Sequence, residues 1–243
     1  MISGVTLVSA HRGGVRVEGQ TAAERYAGAV AMGVDFVEFD VRKTRDGVSI
    51  VYHDDRTESG RAIRNHEYRE LTDELGAEAL TFDALLDIAA GKVGLHLDLK
   101  EAGYEDEIVT TALARTPLQM LVITSDDEVV RTIKERYPEV RAGLSLGDEL
   151  AGASALTRFR VRLSEAFPGA RVKRSRADLV AVHRQLADFN VLRYSSRARV
   201  PAWVWTVDEE TTLRRFMADS RVETVITNRP DLAIRIRGRQ ERE

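Results

Sequence analysis

Short apolar runs alternate with helical stretches, about eight times over a chain of 243 residues, and predict an α/β fold: a single (β/α)8 barrel over residues 1–243. Two further observations support that class. No Gly-rich dinucleotide fingerprint follows the first apolar run, which argues against an open doubly wound sheet. Residues with chemistry to offer (His11, Glu38, Asp40, His53, Asp98 and Lys100) gather at the C-terminal ends of the apolar runs, where a barrel builds its mouth. No internal repeat, low-complexity block or linker divides the chain.

Taken in order, Val5–Ala10 reads as the first strand, stopping at His11-Arg12-Gly13-Gly14, where the glycines imply a close approach of backbone. Thr21 and Glu24 have capping-box spacing, and Tyr26, Ala29 and Val30 continue a helical stripe to Gly33. Phe36–Val41 is the second strand, and its period of two puts Glu38 and Asp40 on one face. Arg45-Asp46-Gly47 then turns into Val48–Tyr52, a small hairpin insertion after strand 2 that ends at His53. Residues 54–80 are polar and weakly patterned, as in a long loop holding one short helix. Thr81 caps a helix through Ala90.

Gly94–Lys100 alternates strictly, with Leu95, Leu97 and Leu99 on one face and His96, Asp98 and Lys100 on the other. Glu105–Leu113 is the next helix and Met120–Thr124 the next strand. Ser125 and Glu128 suggest a second capping box, opening a helix that Pro138 stops. Val140–Leu146 is a strand. Residues 147–176 have helical content without a clean stripe, and their arginines read as a solvated helix face rather than a patch for an anionic partner. Leu179–Val182 is a strand and His183–Phe189 a helix; Pro201–Val207 and Thr224–Thr227 are strands around a helix that Asp208 caps. The charged tail from Arg235 is expected to dock loosely or fray.

Composition narrows the function. At 43% hydrophobic and 31% charged the chain has enough apolar residues for one large core. Lys+Arg 36 against Asp+Glu 39 leaves a net charge of −3, so no global basic field points to nucleic acid. With no cysteine, disulfides, thiolate nucleophiles and Cys-based metal sites are excluded. The N-terminus has neither a basic n-region nor a long apolar h-region, and no stretch reaches the ~20 apolar residues of a spanning helix. A cytoplasmic protein without stable membrane association is the expectation.

Acids on a half-buried strand more often face water. Here His11, Asp98 and Lys100 sit at the ends of other strands, which favours a site. Three carboxylates without thiolates make an oxygen-rich site suited to Mg²⁺ or Ca²⁺. Arg12 and Lys100 beside such an ion suit an anionic substrate, most simply a phosphate ester. His11 and His53 can work as general acid and base near neutral pH.

The blocks His11-Arg12-Gly13, Glu38-Phe39-Asp40-Val41, Thr44-Arg45-Asp46-Gly47, His53-Asp54, Leu97-Asp98-Leu99-Lys100, Trp205-Thr206-Val207-Asp208 and Ile226-Thr227-Asn228-Arg229-Pro230-Asp231 resemble the glycerophosphodiester phosphodiesterases, in family order over nearly the whole chain. The resemblance implies a TIM barrel of lipid and glycerol metabolism. Such a barrel hydrolyses small-molecule glycerophosphodiesters to glycerol 3-phosphate and an alcohol with one divalent cation. On this chain it implies Glu38, Asp40 and Asp98 as metal ligands and His11 and His53 as the acid–base pair. Arg12 and Lys100 would hold the phosphate, and Trp205 would line the glycerol side; with Trp203 beside it, a plain core aromatic is the competing reading.

Two positions depart from the family pattern. Where Pro-Glu-Asn-Thr is usual, this chain has Val17-Glu18-Gly19-Gln20-Thr21, with Gln20 at the Glu position and Glu18 a substitute only in a re-registered loop. The third ligand, usually Glu, is Asp98, whose reach is shorter by about 1.5 Å, one carbon–carbon bond. The competing functions are a related barrel phosphodiesterase, phospholipase D-like or phosphoinositide-cleaving, and a non-catalytic barrel that binds a phosphodiester. The leaving alcohol, the choice of metal, the attacking oxygen and the oligomeric state stay open at this point.

Overall fold

Parallel strands must be joined by crossovers, and in this chain each crossover is helical, so the strands close on themselves inside a ring of helices. The computed structural model describes residues 5–147 and 154–240. The strands are β1 (Leu7–Ala10), β2 (Phe36–Lys43), β3 (Ser49–Val51), β4 (Gly94–Leu99), β5 (Leu121–Ser125), β6 (Arg141–Leu146), β7 (Leu179–His183), β8 (Ala202–Trp205) and β9 (Val222–Thr227). Their order is β1-β9-β8-β7-β6-β5-β4-β2, and β1 also pairs with β2, so eight parallel strands complete the barrel. β3 lies outside the ring, antiparallel to β2, which is the hairpin that the sequence places after strand 2.

Helix α1 (Ala22–Ala31) joins β1 to β2, and α2 (Tyr68–Leu75) and α3 (Phe82–Ala89) lie between β3 and β4. Next come α4 (Glu105–Leu113), α5 (Asp127–Arg136), α6 (Ala155–Ala166) and α7 (Gly169–Ser175). β7 is followed by α8 (Arg184–Leu186), a π-helical turn (Ala187–Val191) and α9 (Leu192–Ala198). Helices α10 (Glu210–Met217) and α11 (Pro230–Gln240) complete the chain.

The period of two along each strand divides the molecule into two interiors. Val37, Phe39 and Val41 of β2 and Leu95, Leu97 and Leu99 of β4 face outward into the main core beneath the helices. Inside the barrel, Phe36, Val122, Leu179, Ala181, Trp203 and Ile226 form an apolar plug toward the N-terminal end, with the Phe36 and Trp203 rings 4.9 Å apart. Gly94 makes room for it: a Cβ there would stand 2.4 Å from Phe36 Cδ1. Beyond the plug, toward the C-terminal end, the inward positions are polar, while at the other end Arg141 pairs with Glu223, which also accepts from Trp203.

Several local expectations change. Thr21 does form a capping box with Glu24, and Thr81 accepts from Ala84 N at 3.2 Å. Ser125 is not a cap: the strand runs through it, its hydroxyl donates to Leu99 O at 2.5 Å, and Asp126 caps α5 instead. Asp208 is not a cap either, because its carboxylate is taken by Asn228 and Thr227. The loop after His53 holds α2 and two 3₁₀ turns, packed by a satellite cluster of Ile50, Ile63, Leu71 and Leu75. The helix expected over His183–Phe189 is broken into α8 and the π-helical turn. The tail from Arg235 continues α11 to Gln240: Ile236 is buried and Arg237 pairs with Asp35. Within the stretch 147–176 the helices are α6 and α7, and residues 148–153 lie outside the described residues.

Candidate active site

The chain leaves β1 in one 3₁₀ turn, His11–Gly13, in which Arg12 has φ 50° and Gly13 φ 77°. A left-handed arginine is held against its own preference. Two contacts hold it: Arg12 N donates to Glu38 Oε2 at 2.9 Å, and Arg25 Nε donates to Arg12 O at 2.9 Å.

His11 Nδ1 lies 2.8 Å from Asn228 Oδ1, and Asn228 donates to Asp208 from both N and Nδ2 at 2.8 Å. A carboxylate only accepts, so the amide must turn its NH₂ to Asp208 and its oxygen to the ring. The hydrogen of His11 therefore sits on Nδ1. Nε2 faces the cavity with its lone pair, 3.9 Å from Glu38 Oε2. Burial first, and then the charge of Arg12, hold the His11 pKa below its ordinary value.

Glu38, Asp40 and Asp98 each place an oxygen within 4.8 Å of the others. Glu38 and Asp40 point inward from β2, and Asp98 from the register-matched position on β4, where Asp40 and Asp98 are direct partners. Lys100 Nζ is 2.9 Å from Asp40 Oδ1 and also pairs with Asp98. Arg12 Nε stands 3.1 Å from Asp40 Oδ2 without a well-aligned hydrogen bond, so that contact is an ion pair. Thr124 Oγ1 donates to Asp98 Oδ1 at 3.2 Å.

The charges do not balance. Lys100 and Arg12 both serve Asp40, and although burial alone would raise the Asp40 pKa, Lys100 and then Arg12 hold it below its usual value. Burial, followed by repulsion from Asp40 and Asp98, pushes Glu38 well above the usual carboxylate range. Among the described residues no lysine or arginine side chain pairs with Glu38. Two cationic side chains against three clustered carboxylates leave negative charge that a divalent cation would satisfy, and the all-oxygen donor set fits a hard ion.

His53 ends the hairpin. Arg42 Nε donates to its carbonyl at 2.8 Å and is itself braced by Glu101 at 2.7 Å; the His53 ring, 41% exposed, has Nδ1 2.8 Å from Asp54 Oδ1. The two tryptophans separate cleanly. Trp203 is fully buried and donates to Glu223 at 2.6 Å, the core aromatic. Trp205 is half-buried on the cavity wall, with its ring 5.2 Å from that of His183 and its indole N–H without an acceptor among the described residues.

One cavity of about 390 Å³ is lined by His11, Arg12, Glu38, Asp40, His53, Asp98, Lys100 and Trp205 together. Residues that sequence reading left without a role join them. His96 lies fully buried in the wall, between Ser9 Oγ at 3.3 Å and Thr124 Oγ1 at 3.0 Å, and burial lowers its pKa to about 3. Its signal was visible: it shares a face with Asp98, two residues on. Asn228 stood inside a matched block with no task assigned, and Asp208 inside another was expected only as a helix cap. Gln20 and Glu18 do not line this cavity, so that departure from the family pattern falls outside it.

Among known proteins, residues 11–93 match the Glycerophosphoryl diester phosphodiesterase family, a span that holds His11, Arg12, Glu38, Asp40 and His53. The glycerophosphodiester phosphodiesterase GDPD4 of Arabidopsis thaliana is 25% identical over 250 residues, covering 93% of this chain and 71% of that protein. A glycerophosphodiester phosphodiesterase structure from Parabacteroides distasonis has a TM-score of 0.76 at 21% identity, with 97% of this chain and 98% of that one covered. An Oleispira antarctica phosphodiesterase, solved with the product sn-glycerol-3-phosphate, has a TM-score of 0.70 at 20% identity, with 96% of each chain covered. The two solved structures share the barrel. Taken with the motif blocks that converge on one mouth, the match over residues 11–93 and the relative aligned along 93% of the chain say what the sequence is similar to: the glycerophosphoryl diester phosphodiesterase family.

Proposed function

We propose that this chain hydrolyses glycerophosphodiesters to glycerol 3-phosphate and an alcohol. In this reading Glu38, Asp40 and Asp98 hold one divalent cation, Mg²⁺ or Ca²⁺, and His11 and His53 are the acid–base pair. In this reading the chain is a phosphoric diester hydrolase, as its similarity to that family supports. The observation that carries the finer reading is the trio of carboxylate oxygens within 4.8 Å of one another, in a cavity shared with Lys100, Arg12 and the free Nε2 of His11.

Lys100 keeps its charge: burial opposes it, but Asp98 and Asp40 outweigh burial and raise its pKa. With Arg12 it offers a fixed positive wall to the diester's non-bridging oxygens. His11 is the base, because its lowered pKa leaves Nε2 unprotonated near neutrality, and Asn228 prevents the ring from presenting the other nitrogen. His53, on the hairpin across the same cavity, gives its proton to the leaving oxygen. Trp205, on the cavity wall, lines the glycerol side of the pocket. The cation, when bound, stabilises charge on the phosphoryl oxygens.

The test is a panel of glycerophosphodiesters assayed with Mg²⁺, with Ca²⁺ and with chelator, reading glycerol 3-phosphate. Release that chelator abolishes and one of the two ions restores is the expected result. A cyclic phosphate product would point to the phospholipase D-like alternative. No release from any diester with either ion would leave a binding barrel.

A further inference from the structure

Helix α6 is amphipathic, yet it buries a glutamate and leaves its apolar stripe outside. Glu165 is buried, pairs with Arg162 at 2.6 Å and accepts from Gly147 N at 3.0 Å. Leu156, Phe159, Leu163 and Phe167 follow at intervals of three and four residues, which places them on one stripe. That stripe faces outward, 59%, 64%, 49% and 57% exposed in turn. Phe189 in the π-helical turn is 70% exposed, and Asn190 Nδ2 ties that turn to α6 by donating to Ala166 O at 2.8 Å. A helix of a soluble domain ordinarily buries such a stripe against its own core. Five large apolar side chains on two linked segments mark a surface that meets something.

The surface stands at the barrel's mouth. Helix α6 leaves the C-terminal end of β6, beyond Gly147, and the π-helical turn follows His183 at the end of β7; Gly147 and His183 both line the cleft over Asp98 and Lys100. The charge is equally specific. From Ser154 to Arg199 the sequence has eleven Lys or Arg and three Asp or Glu, net +8 in a chain of net −3. Arg158 and Arg160 on α6 itself have no carboxylate partner among the described residues.

We propose that this face is a peripheral docking surface for an anionic lipid–water interface. An apolar stripe of Leu and Phe with Arg160 at its border, and Arg158 exposed on the same helix, suits the boundary between acyl chains and anionic headgroups. Contact is from one side, since no helix among the described residues is long and apolar enough to cross a membrane. A second copy of the chain would cover the stripe only by bringing the exposed arginines of two α6 helices together, which like-charge repulsion opposes. The inference goes beyond the hydrolytic reading and does not depend on it.

The experiment is co-sedimentation of the full chain with phosphatidylcholine vesicles, with and without phosphatidylglycerol, over a range of salt. Binding is expected with phosphatidylglycerol, weak without it, and falling as salt rises. The double variant Phe159→Ser/Leu163→Ser should lose affinity on the order of tenfold or more, and Arg158→Glu/Arg160→Glu should lose the preference for phosphatidylglycerol. All four side chains are solvent-facing; if the first variant fails to fold, the charge reversal still decides. No binding to phosphatidylglycerol vesicles at low salt overturns the proposal, as does undiminished binding by folded variants of both kinds. A dimer in sedimentation velocity that Phe159→Ser/Leu163→Ser abolishes, without any vesicle binding, assigns the stripe to a second copy. None of these side chains lines the catalytic cavity, so glycerol 3-phosphate release reports separately on the hydrolytic reading.

Discussion

At the scale of single residues, His11 is defined by what stands behind it. Asp208 orients Asn228, Asn228 fixes the Nδ1 hydrogen of His11, and Nε2 is thereby left for the cavity. His11→Ala and His53→Ala are each expected to lower kcat by roughly 10²–10⁴, the usual worth of a positioned acid or base. KM should move far less, since in the proposed reading Arg12 and Lys100 hold the phosphate. Asn228→Ala should cost roughly 10–100-fold in kcat, as loss of an orienting partner does. Steady-state kinetics on glycerophosphocholine checks all three. Because the His11 pKa is lowered, the base is neutral above 6.5 and is lost by protonation only as pH falls below that value; an acid limb of kcat/KM lying above pH 7 would count against His11 as the base. Asp40→Asn removes the carboxylate that Lys100 and Arg12 both brace. Calorimetric titration with Mg²⁺ and with Ca²⁺ is expected to show strongly weakened binding, and unchanged affinity for both ions would sink the ligand assignment.

At the scale of elements, the candidate active site depends on how closely β2 and β4 approach. The same register that sets Asp40 beside Asp98 sets Phe36 beside Gly94. A methyl at Gly94 would lie 2.4 Å from the Phe36 ring and 2.7 Å from Asp35 O, and the latter is backbone that cannot swing away. Gly94→Ala is therefore expected to destabilise by about 1–3 kcal/mol through overpacking. Thr21→Ala is the comparison at a helix end: it removes the hydroxyl that accepts from Glu24 N and costs about 1 kcal/mol. Urea melts of both variants measure the two effects. The glycine variant should in addition weaken metal binding, whereas the cap variant should not.

For the whole molecule, the buried histidine in the barrel wall makes stability depend on pH. Burial lowers the His96 pKa to about 3, against an ordinary 6.5 in an unfolded chain. Between those values the unfolded state binds the proton and the folded state does not, so stability rises with pH in that window. One such group contributes a slope of about 1.4 kcal/mol per pH unit. The stabilisation is complete above pH 6.5 and is lost progressively as pH falls toward 3. Glu38 acts in the opposite sense, because its raised pKa lets the folded state keep a proton that the unfolded state releases. Comparing His96→Gln with the parent chain in chelator isolates the histidine: the variant's stability should lose one proton's worth of slope across that window. Equal slopes for the two chains would mean that His96 is protonated in the fold.

The amino-acid sequence by itself determined the class of fold and the faces of its elements. The period of two in β2 and β4, and the Thr21 and Thr81 caps, depend on covalent geometry within a few residues, so Glu38, Asp40 and Asp98 were legible as inward-facing before any pairing was known. Proximity in space was decided elsewhere. Closing β9 onto β1 brings Asn228 to His11 across 217 residues, and that contact turned Asp208 from an expected helix cap into the anchor of an amide. The carbonyl of Leu99, one strand over, took the hydroxyl of Ser125, so the neighbouring Asp126 became the cap. The arginine-rich stretch around α6 does carry an apolar stripe at helical spacing, Leu156, Phe159, Leu163 and Phe167; what periodicity could not show is that the stripe faces outward while Glu165 is buried. Local periodicity records which way a side chain points relative to its own backbone; which groups meet there depends on how the ring closes, and only the tertiary structure holds that.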